Sequence, residues 1–169
     1  MANVYASYFS STVQQQGYNF DGLSLYTFAA PASGNEDFAS DLDNKITDAW
    51  HYANNNDIVP KFPVSSAILA LAFLFIPSPS AGEITFTYKG LTISLREGLV
   101  ILSGIFELGA YQQESNNYIP FTNPLDANYA NNTMQDWFSQ AAAQHAMNVY
   151  ANYLDVTLTA KLDKESSIL

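Results

Sequence analysis

Two short apolar runs, each followed by a polar loop, constrain the fold of this chain more than any other feature. The first run covers residues 23–30, and the second covers residues 49–53 and ends in a loop that reaches Asp57. Between the runs, apolar side chains recur one helical turn apart over residues 35–47, which predicts a helix. Alternating helices and strands are typical of an α/β fold with a mostly parallel sheet flanked by helices. We therefore predict this class of fold.

The flanking segments extend the same architecture. Val4 and its neighbours repeat at helical spacing, so the chain is predicted to open in an amphipathic helix. Residues 84–95 alternate apolar and polar side chains around a turn at Gly90, which predicts a β-hairpin. Residues 111–132 are predicted to be a loop, and one helix is predicted from Met134 to Leu154. Neither a repeat nor a linker is apparent, so residues 1–169 are predicted to form one domain.

Charge and composition exclude several functions. The chain carries 16 acidic against 6 basic residues, a formal charge of −10, which argues against nucleic acid or an anionic membrane as the partner. The absence of cysteine excludes disulfides and thiolate metal sites. We expect no metal or other cofactor. No targeting segment is recognisable, and the sequence leaves a secreted or a cytoplasmic location open.

Two apolar segments, residues 64–76 and 98–110, have two interpretations. The longest apolar run within them is shorter than the roughly 20 residues that cross a bilayer. They are either ordinary core helices or elements that line an acyl pocket or form a lid.

Only two histidines, His51 and His145, are available for proton transfer near neutral pH. Asp57 follows a strand, where open α/β sheets carry their sites, but an Asx turn is the alternative. His145 lies among small residues and is either a catalytic base or a structural histidine. His51 lies inside the second strand, where a packing role is favoured.

A resemblance to a known family favours the catalytic interpretation of two of these residues. The string Tyr26-Thr27-Phe28-Ala29-Ala30-Pro31-Ala32-Ser33-Gly34-Asn35, followed by Phe38-Ala39, resembles the Y-T-F-G-x-P-x-x-G-N-x-x-F-A signature of the fungal-type, class 3 lipases. The segment from Tyr52 to Pro63 is similar to that family's V-V-N-x-x-D-x-V-P-x-x-P string, whose triad aspartate falls on Asp57. His145 matches the family histidine by its order in the chain and by the pattern of Met147, Tyr150 and Leu154 after it.

The resemblance implies a specific fold and reaction. It implies the C-terminal part of an α/β-hydrolase fold, with the β-hairpin as an excursion before the histidine helix. It also implies hydrolysis of a lipid ester or a small ester through an acyl-enzyme, with Asp57 and His145 in a Ser-Asp-His triad. A phospholipase or another esterase on the same scaffold is an alternative.

The nucleophile that this family uses is not found in the chain. None of its serines lies in the Gly-x-Ser-x-Gly string of a nucleophile elbow. Residues 1–6 resemble the continuation of the helix that follows the elbow, so the expected serine lies upstream of Met1. We therefore expect residues 1–169 to be a partial domain that is inactive alone and self-associates through an exposed sheet edge. The alternative is a non-catalytic binding or assembly module.

Overall fold

The computed structural model describes residues 2–17 and 22–158. In chain order the helices and strands are α1 (Ala2–Gln15), β1 (Ser24–Phe28), β2 (Gly34–Asn35), α2 (Glu36–Lys45), β3 (Asp48–Asn54), α3 (Ser65–Leu71), β4 (Thr85–Tyr88), β5 (Leu91–Ser94), α4 (Leu95–Glu107), β6 (Tyr111–Gln112), β7 (Tyr118–Phe121), α5 (Met134–His145) and α6 (Met147–Tyr153). The predicted first helix, the two strands, the helix between them and the hairpin are all present.

A parallel sheet of three strands, in the order β1-β3-β7, forms the centre of the fold. Ser24 lies opposite Asp48, and His51 lies opposite Tyr118. Because all three strands run in the same direction, their carboxyl ends meet at one edge of the sheet. Within the described residues, the outer side of β1 pairs with no other strand.

Local signals explain where two of the helices begin. The Asn35 side chain caps α2 by accepting a hydrogen bond from the Phe38 N–H at 3.1 Å. Ser94 and Glu97 form a reciprocal capping box at the start of α4. That capping box also ends the hairpin, since Ser94 is the last residue of β5.

Two predictions for the second half of the chain are wrong. Residues 111–132 are not all loop, because Tyr118–Phe121 form β7 beside β3. Pro120 is tolerated there since β7 is an edge strand among the described residues. The single helix predicted from Met134 to Leu154 is two helices, interrupted by an extended backbone at Ala146 (φ −65°, ψ 138°). The interruption leaves His145 as the last residue of α5.

The core has two main parts. One lies between α1, α2 and the sheet and includes Leu25, Leu42 and Ile46. The other lies between α3, α4 and α5, where Leu71, Leu99 and Trp137 are buried. The two apolar segments of the sequence therefore contribute to a core, but α4 also exposes apolar side chains such as Ile105, which is 63% exposed. Among the described residues, no helix is both long and apolar enough to cross a membrane.

Candidate active site

Asp57 is completely buried just beyond the carboxyl end of β3. Its backbone N–H donates to the carbonyl of Asn54 at 2.9 Å, which closes a tight turn. Its Oδ1 accepts a hydrogen bond from the Val59 N–H at 2.9 Å. This bond has the form of the Asx turn considered above, yet it occupies only one oxygen of the carboxylate. The other oxygen, Oδ2, is turned toward α5 and α6.

The second carboxylate oxygen joins Asp57 to His145, 88 residues further along the chain. The Nδ1–H of His145 donates to Asp57 Oδ2 at 2.9 Å. The acid is fully buried, whereas 46% of the His145 side chain is exposed. A buried carboxylate bonded to Nδ1 holds the neutral ring in the tautomer whose Nε2 can accept a proton. The two residues singled out in the sequence are therefore in contact, in a geometry suited to general base catalysis.

Tyr150 is a third member of this site that the sequence analysis did not assign. Its hydroxyl donates to Asp57 Oδ2 at 2.7 Å and accepts from the Asn54 N–H at 3.2 Å. Burial, and in addition the neighbouring Asp57 carboxylate, raise the pKa of Tyr150 far above its usual value. The phenol is therefore a neutral donor that helps to hold the buried carboxylate in place.

Hydrogen bonds between Asn54 and Gln144 fix the position of His145. The buried Asn54 amide donates to the Gln144 carbonyl at 3.1 Å and to its Oε1 at 2.8 Å. Asn54 Oδ1 accepts from the backbone N–H of Asn123 at 3.0 Å. Because Gln144 directly precedes His145, these bonds anchor the end of α5 to the end of β3. In the sequence, only the run of asparagines at residues 54–56 indicates such a network.

His145 lines a cavity of about 350 Å³ at the carboxyl end of β1. The wall includes the first residues of α1, Ala2 and Asn3, together with Ser33 and Val59. Within the described part of the chain, no serine hydroxyl is hydrogen-bonded to His145. The cavity thus brings the first described residues of α1 next to an exposed imidazole, and the N–H groups at the amino end of a helix can stabilise negative charge.

Glu114 is buried, and the side chains of Asn3 and Ser33 beside it line this cavity. Burial raises the pKa of its carboxyl, and the nearby side chains of Asn3 and Ser33 oppose that shift. Across the described ranges, no three His, Cys, Asp or Glu side chains gather in a way that would hold a metal ion.

His51 lies apart from this site, within the sheet. Its Nδ1 is 2.7 Å from the Thr27 hydroxyl, and both side chains are buried. Burial lowers the pKa of His51, and the carboxylate of Asp43 opposes this shift. The neutral ring contacts Thr27 of the neighbouring strand β1, in line with the packing role favoured above.

This buried histidine should make the stability of the fold depend on pH. Its folded-state pKa is lowered, so the unfolded chain binds more protons than the folded one once the pH falls below about 6.5, and stability is then lost. We expect the loss attributable to His51 to be at most about 1.4 kcal/mol per pH unit. Urea unfolding at pH 7.5 and at pH 5.5 measures it, with His51→Gln as the comparison. Equal losses in both proteins would contradict this expectation.

Part of the chain is similar to a known family of lipases. Residues 1–67 match the family model described as "Lipase (class 3)", a range that includes Asp57 but not His145. The resemblance to class 3 lipases is thereby confirmed for that part of the chain. No curated protein matches the chain.

A solved structure extends the likeness to most of the chain. The crystal structure of M37 lipase is similar with a TM-score of 0.65 and 19% sequence identity, over 90% of this chain and 41% of the lipase. The chain therefore spans less than half the length of that lipase. At this identity the likeness concerns the fold alone, and it confirms the predicted α/β-hydrolase architecture, a parallel sheet flanked by helices.

Proposed function

We propose that this chain is the C-terminal part of a lipase-like carboxylic ester hydrolase in which Asp57 and His145 are the catalytic acid and base. The observation that carries the proposal is the 2.9 Å hydrogen bond from an exposed imidazole to a fully buried carboxylate. The match to class 3 lipases over residues 1–67 supports the reaction class. In this proposal the nucleophilic serine lies upstream of Met1, so residues 1–169 form one partial domain.

The reaction is an acyl transfer in two stages. His145 Nε2 takes the proton of the serine hydroxyl while the serine oxygen attacks the ester carbonyl. The protonated ring, stabilised by Asp57, then gives that proton to the departing alkoxide as the acyl-enzyme forms. In the second stage His145 deprotonates a water molecule as it attacks the acyl carbon. The ring then returns that proton to the serine oxygen as the bond to the acyl group breaks and the acid is released. In this proposal Tyr150 and Asn54 bind neither reactant. Tyr150 positions the acid, and Asn54 also positions the end of α5 that carries His145.

The residues that line the His145 cavity support this position for the serine. Ala2 and Asn3 begin α1 and line that cavity, so a residue shortly before Ala2 would lie close to the imidazole. A serine at a strand-to-helix turn is the arrangement of a nucleophile elbow. The strand leading into it would lie beside β1, whose outer edge is unpaired in the described residues. In the chain alone, we propose that this edge pairs with another copy.

Activity measurements on two proteins test the proposal. We expect no turnover of 4-nitrophenyl butyrate by residues 1–169 beyond that of His145→Ala, because the nucleophile is missing. The protein extended upstream to include a Gly-x-Ser-x-Gly string should hydrolyse the ester at least about 10³-fold faster than the chain alone, since acyl-enzyme chemistry then becomes available.

Each contrary outcome has a defined meaning. Turnover by residues 1–169 that His145→Ala abolishes would show that the chain holds its own nucleophile, with Ser33 in the cavity wall as the first residue to replace. An in-frame stop codon directly upstream of Met1, together with no turnover, would contradict the enzymatic proposal and favour a non-catalytic module.

A further inference from the structure

We propose that Gln113 is a positioning residue of the candidate active site, which holds the loop that carries Asp57 against the loop that follows β1. Its hydrogen bonds go to backbone carbonyls of these two loops, and it acts on Asp57 and His145 through them. The inference rests on the proposed function for the catalytic role of Asp57. The contacts themselves form within residues 1–169, so they can be measured without a serine or an ester.

The side-chain amide of Gln113 joins two segments that are distant in the chain. Its Nε2 donates to the carbonyl of Ala30 at 3.0 Å and to the carbonyl of Pro60 at 2.5 Å. An amide nitrogen carries two N–H donors, so both are used. Ala30 lies just beyond the end of β1, and Pro60 lies in the loop that begins at Asp57. Gln113 is half-buried, so water has limited access to these bonds.

The two loops need such a link because the sheet ends before them. The register of β1 and β3 ends at Phe28 and Tyr52, and carbonyls beyond it need partners from outside the sheet. A backbone hydrogen bond from the Ala32 N–H to the Phe62 carbonyl, at 2.8 Å, joins the loops further on. Ala29 has a φ of 55°, a left-handed conformation that alanine disfavours. Local preference therefore opposes this turn, and contacts with other segments maintain it.

The backbone on both sides of Gln113 is fixed, which allows its side chain to support the loops. On one side, Gln112 pairs with Gly34 between β6 and β2. On the other side, the N–H and the hydroxyl of Ser115 donate to the Asp43 carboxylate at 2.8 and 2.6 Å. Asp43 lies in α2, and β2 directly precedes that helix. Gln113 therefore extends toward the loops from a segment that is anchored to α2.

The next residue, Glu114, lies against another part of the His145 cavity. Its buried carboxyl is beside Asn3 of α1 and Ser33. Both of these residues line the cavity. Two consecutive side chains, those of Gln113 and Glu114, thus contact three parts of the site: the two loops and the start of α1.

The bond to Pro60 lies one residue away from a group that orients the acid. The Val59 N–H donates to Asp57 Oδ1 at 2.9 Å, and Val59 also lines the His145 cavity. If the Pro60 carbonyl lost its donor, this part of the loop would shift and the carboxylate would move with it. Gln113 is not among the residues that line the cavity. The expected signature of its loss is therefore a lower kcat at an almost unchanged KM.

Two substitutions at Gln113 remove the donors in different ways. Gln113→Glu keeps the size of the side chain, but its carboxylate would face and repel two carbonyl oxygens. Gln113→Met is uncharged and of similar length, so it shows the loss of the donors without the repulsion. Gln112→Glu is the matched control, because Gln112 is exposed in β6 and the change in net charge is the same. Circular dichroism and the urea midpoint establish that the variants are folded.

Hydrogen exchange of backbone amides tests the positioning in residues 1–169. The Val59 N–H reports on the Asp57 loop, and the Ala32 N–H reports on the loop after β1. We expect both amides to exchange about tenfold faster or more in the two Gln113 variants, the effect of losing a hydrogen bond that water does not fully replace. Gln112→Glu should leave both rates within about twofold.

Kinetics of the protein extended to carry its serine supply the second readout. We expect the Gln113 variants to lower kcat for 4-nitrophenyl butyrate about 10- to 100-fold, and to change KM by less than about threefold, because small displacements at an active site have effects of this size. Gln112→Glu should leave both constants within about twofold. Partial unfolding alone would lower kcat only in proportion to the folded fraction, which circular dichroism measures.

The outcomes separate this inference from the proposed function. Unchanged exchange in both Gln113 variants, or the same change in Gln112→Glu, would overturn the inference even if the extended protein hydrolyses the ester. Faster exchange with an unaltered kcat would also overturn it, because the link would then not position the acid. Faster exchange in residues 1–169 together with an extended protein that hydrolyses no ester would support the link between the loops and contradict only the proposed function.

Discussion

Replacing Asp57 by asparagine is expected to lower kcat for ester hydrolysis by about 10⁴-fold in the protein extended to carry its serine, by analogy with the same change in serine proteases. Asparagine is nearly the same size as aspartate, but it carries no charge to stabilise the protonated ring. Its amide can also donate to Nδ1 of His145, which would leave the proton on Nε2. Nε2 could then no longer accept the proton of the serine.

An exposed aspartate supplies the control for this measurement. Asp37 lies in the first turn of α2 at the surface, so Asp37→Asn should leave kcat within about twofold. Circular dichroism and the urea midpoint establish that both variants are folded. A loss of less than tenfold in a folded Asp57→Asn protein would contradict the assignment of Asp57 as the catalytic acid.

The second large effect is expected at Asn54, on stability. Asn54→Ala removes an amide that bonds to Gln144 and to the backbone N–H groups of Asn56 and Asn123. Several buried polar groups would then lack a partner, at a cost of about 1–3 kcal/mol each for those that water does not reach. We expect the free energy of unfolding to fall by about 3 kcal/mol, measured by urea titration.

The neighbouring asparagine is a matched control for Asn54. Asn55 is exposed, and its amide donates to the Thr122 hydroxyl at 2.8 Å. Asn55→Ala should therefore cost less than about 1 kcal/mol, because water replaces the lost partner. Similar losses in the two variants would show that the Asn54 network does not fix the end of α5.

Sequence patterns sufficed for the parts of the fold that local periodicity determines. The alternating hairpin of β4 and β5 and the apolar strand β1 are examples. Periodicity did not predict the helix break at Ala146, because neither glycine nor proline marks it in the sequence. The residues just before the break, Gln144 and His145, are held by contacts with Asn54 and Asp57. Periodicity also did not predict β7, where asparagine, tyrosine and Pro120 are typical of a loop and only pairing with β3 makes a strand.

The candidate site was predictable to a different degree at each residue. Asp57 could be proposed as the acid because a specific string surrounds it, and the family match covers that range. His145 was inferred from its order in the chain, and it lies outside the matched residues. Tyr150 and Gln144 could not be assigned roles, since their contacts with Asp57 and Asn54 span 90 residues or more. Such partners are determined by tertiary structure alone.

The tautomer of His145 in residues 1–169 tests the central claim most directly, because it requires no serine and no substrate. Nitrogen-15 NMR at a pH where the rings are neutral distinguishes the two tautomers, and His51→Gln identifies the signals of the only other histidine. We predict that the proton of His145 resides on Nδ1 and moves to Nε2 in Asp57→Asn. A His145 ring protonated on Nε2 in the unaltered chain, or one that Asp57→Asn leaves unchanged, would contradict the account.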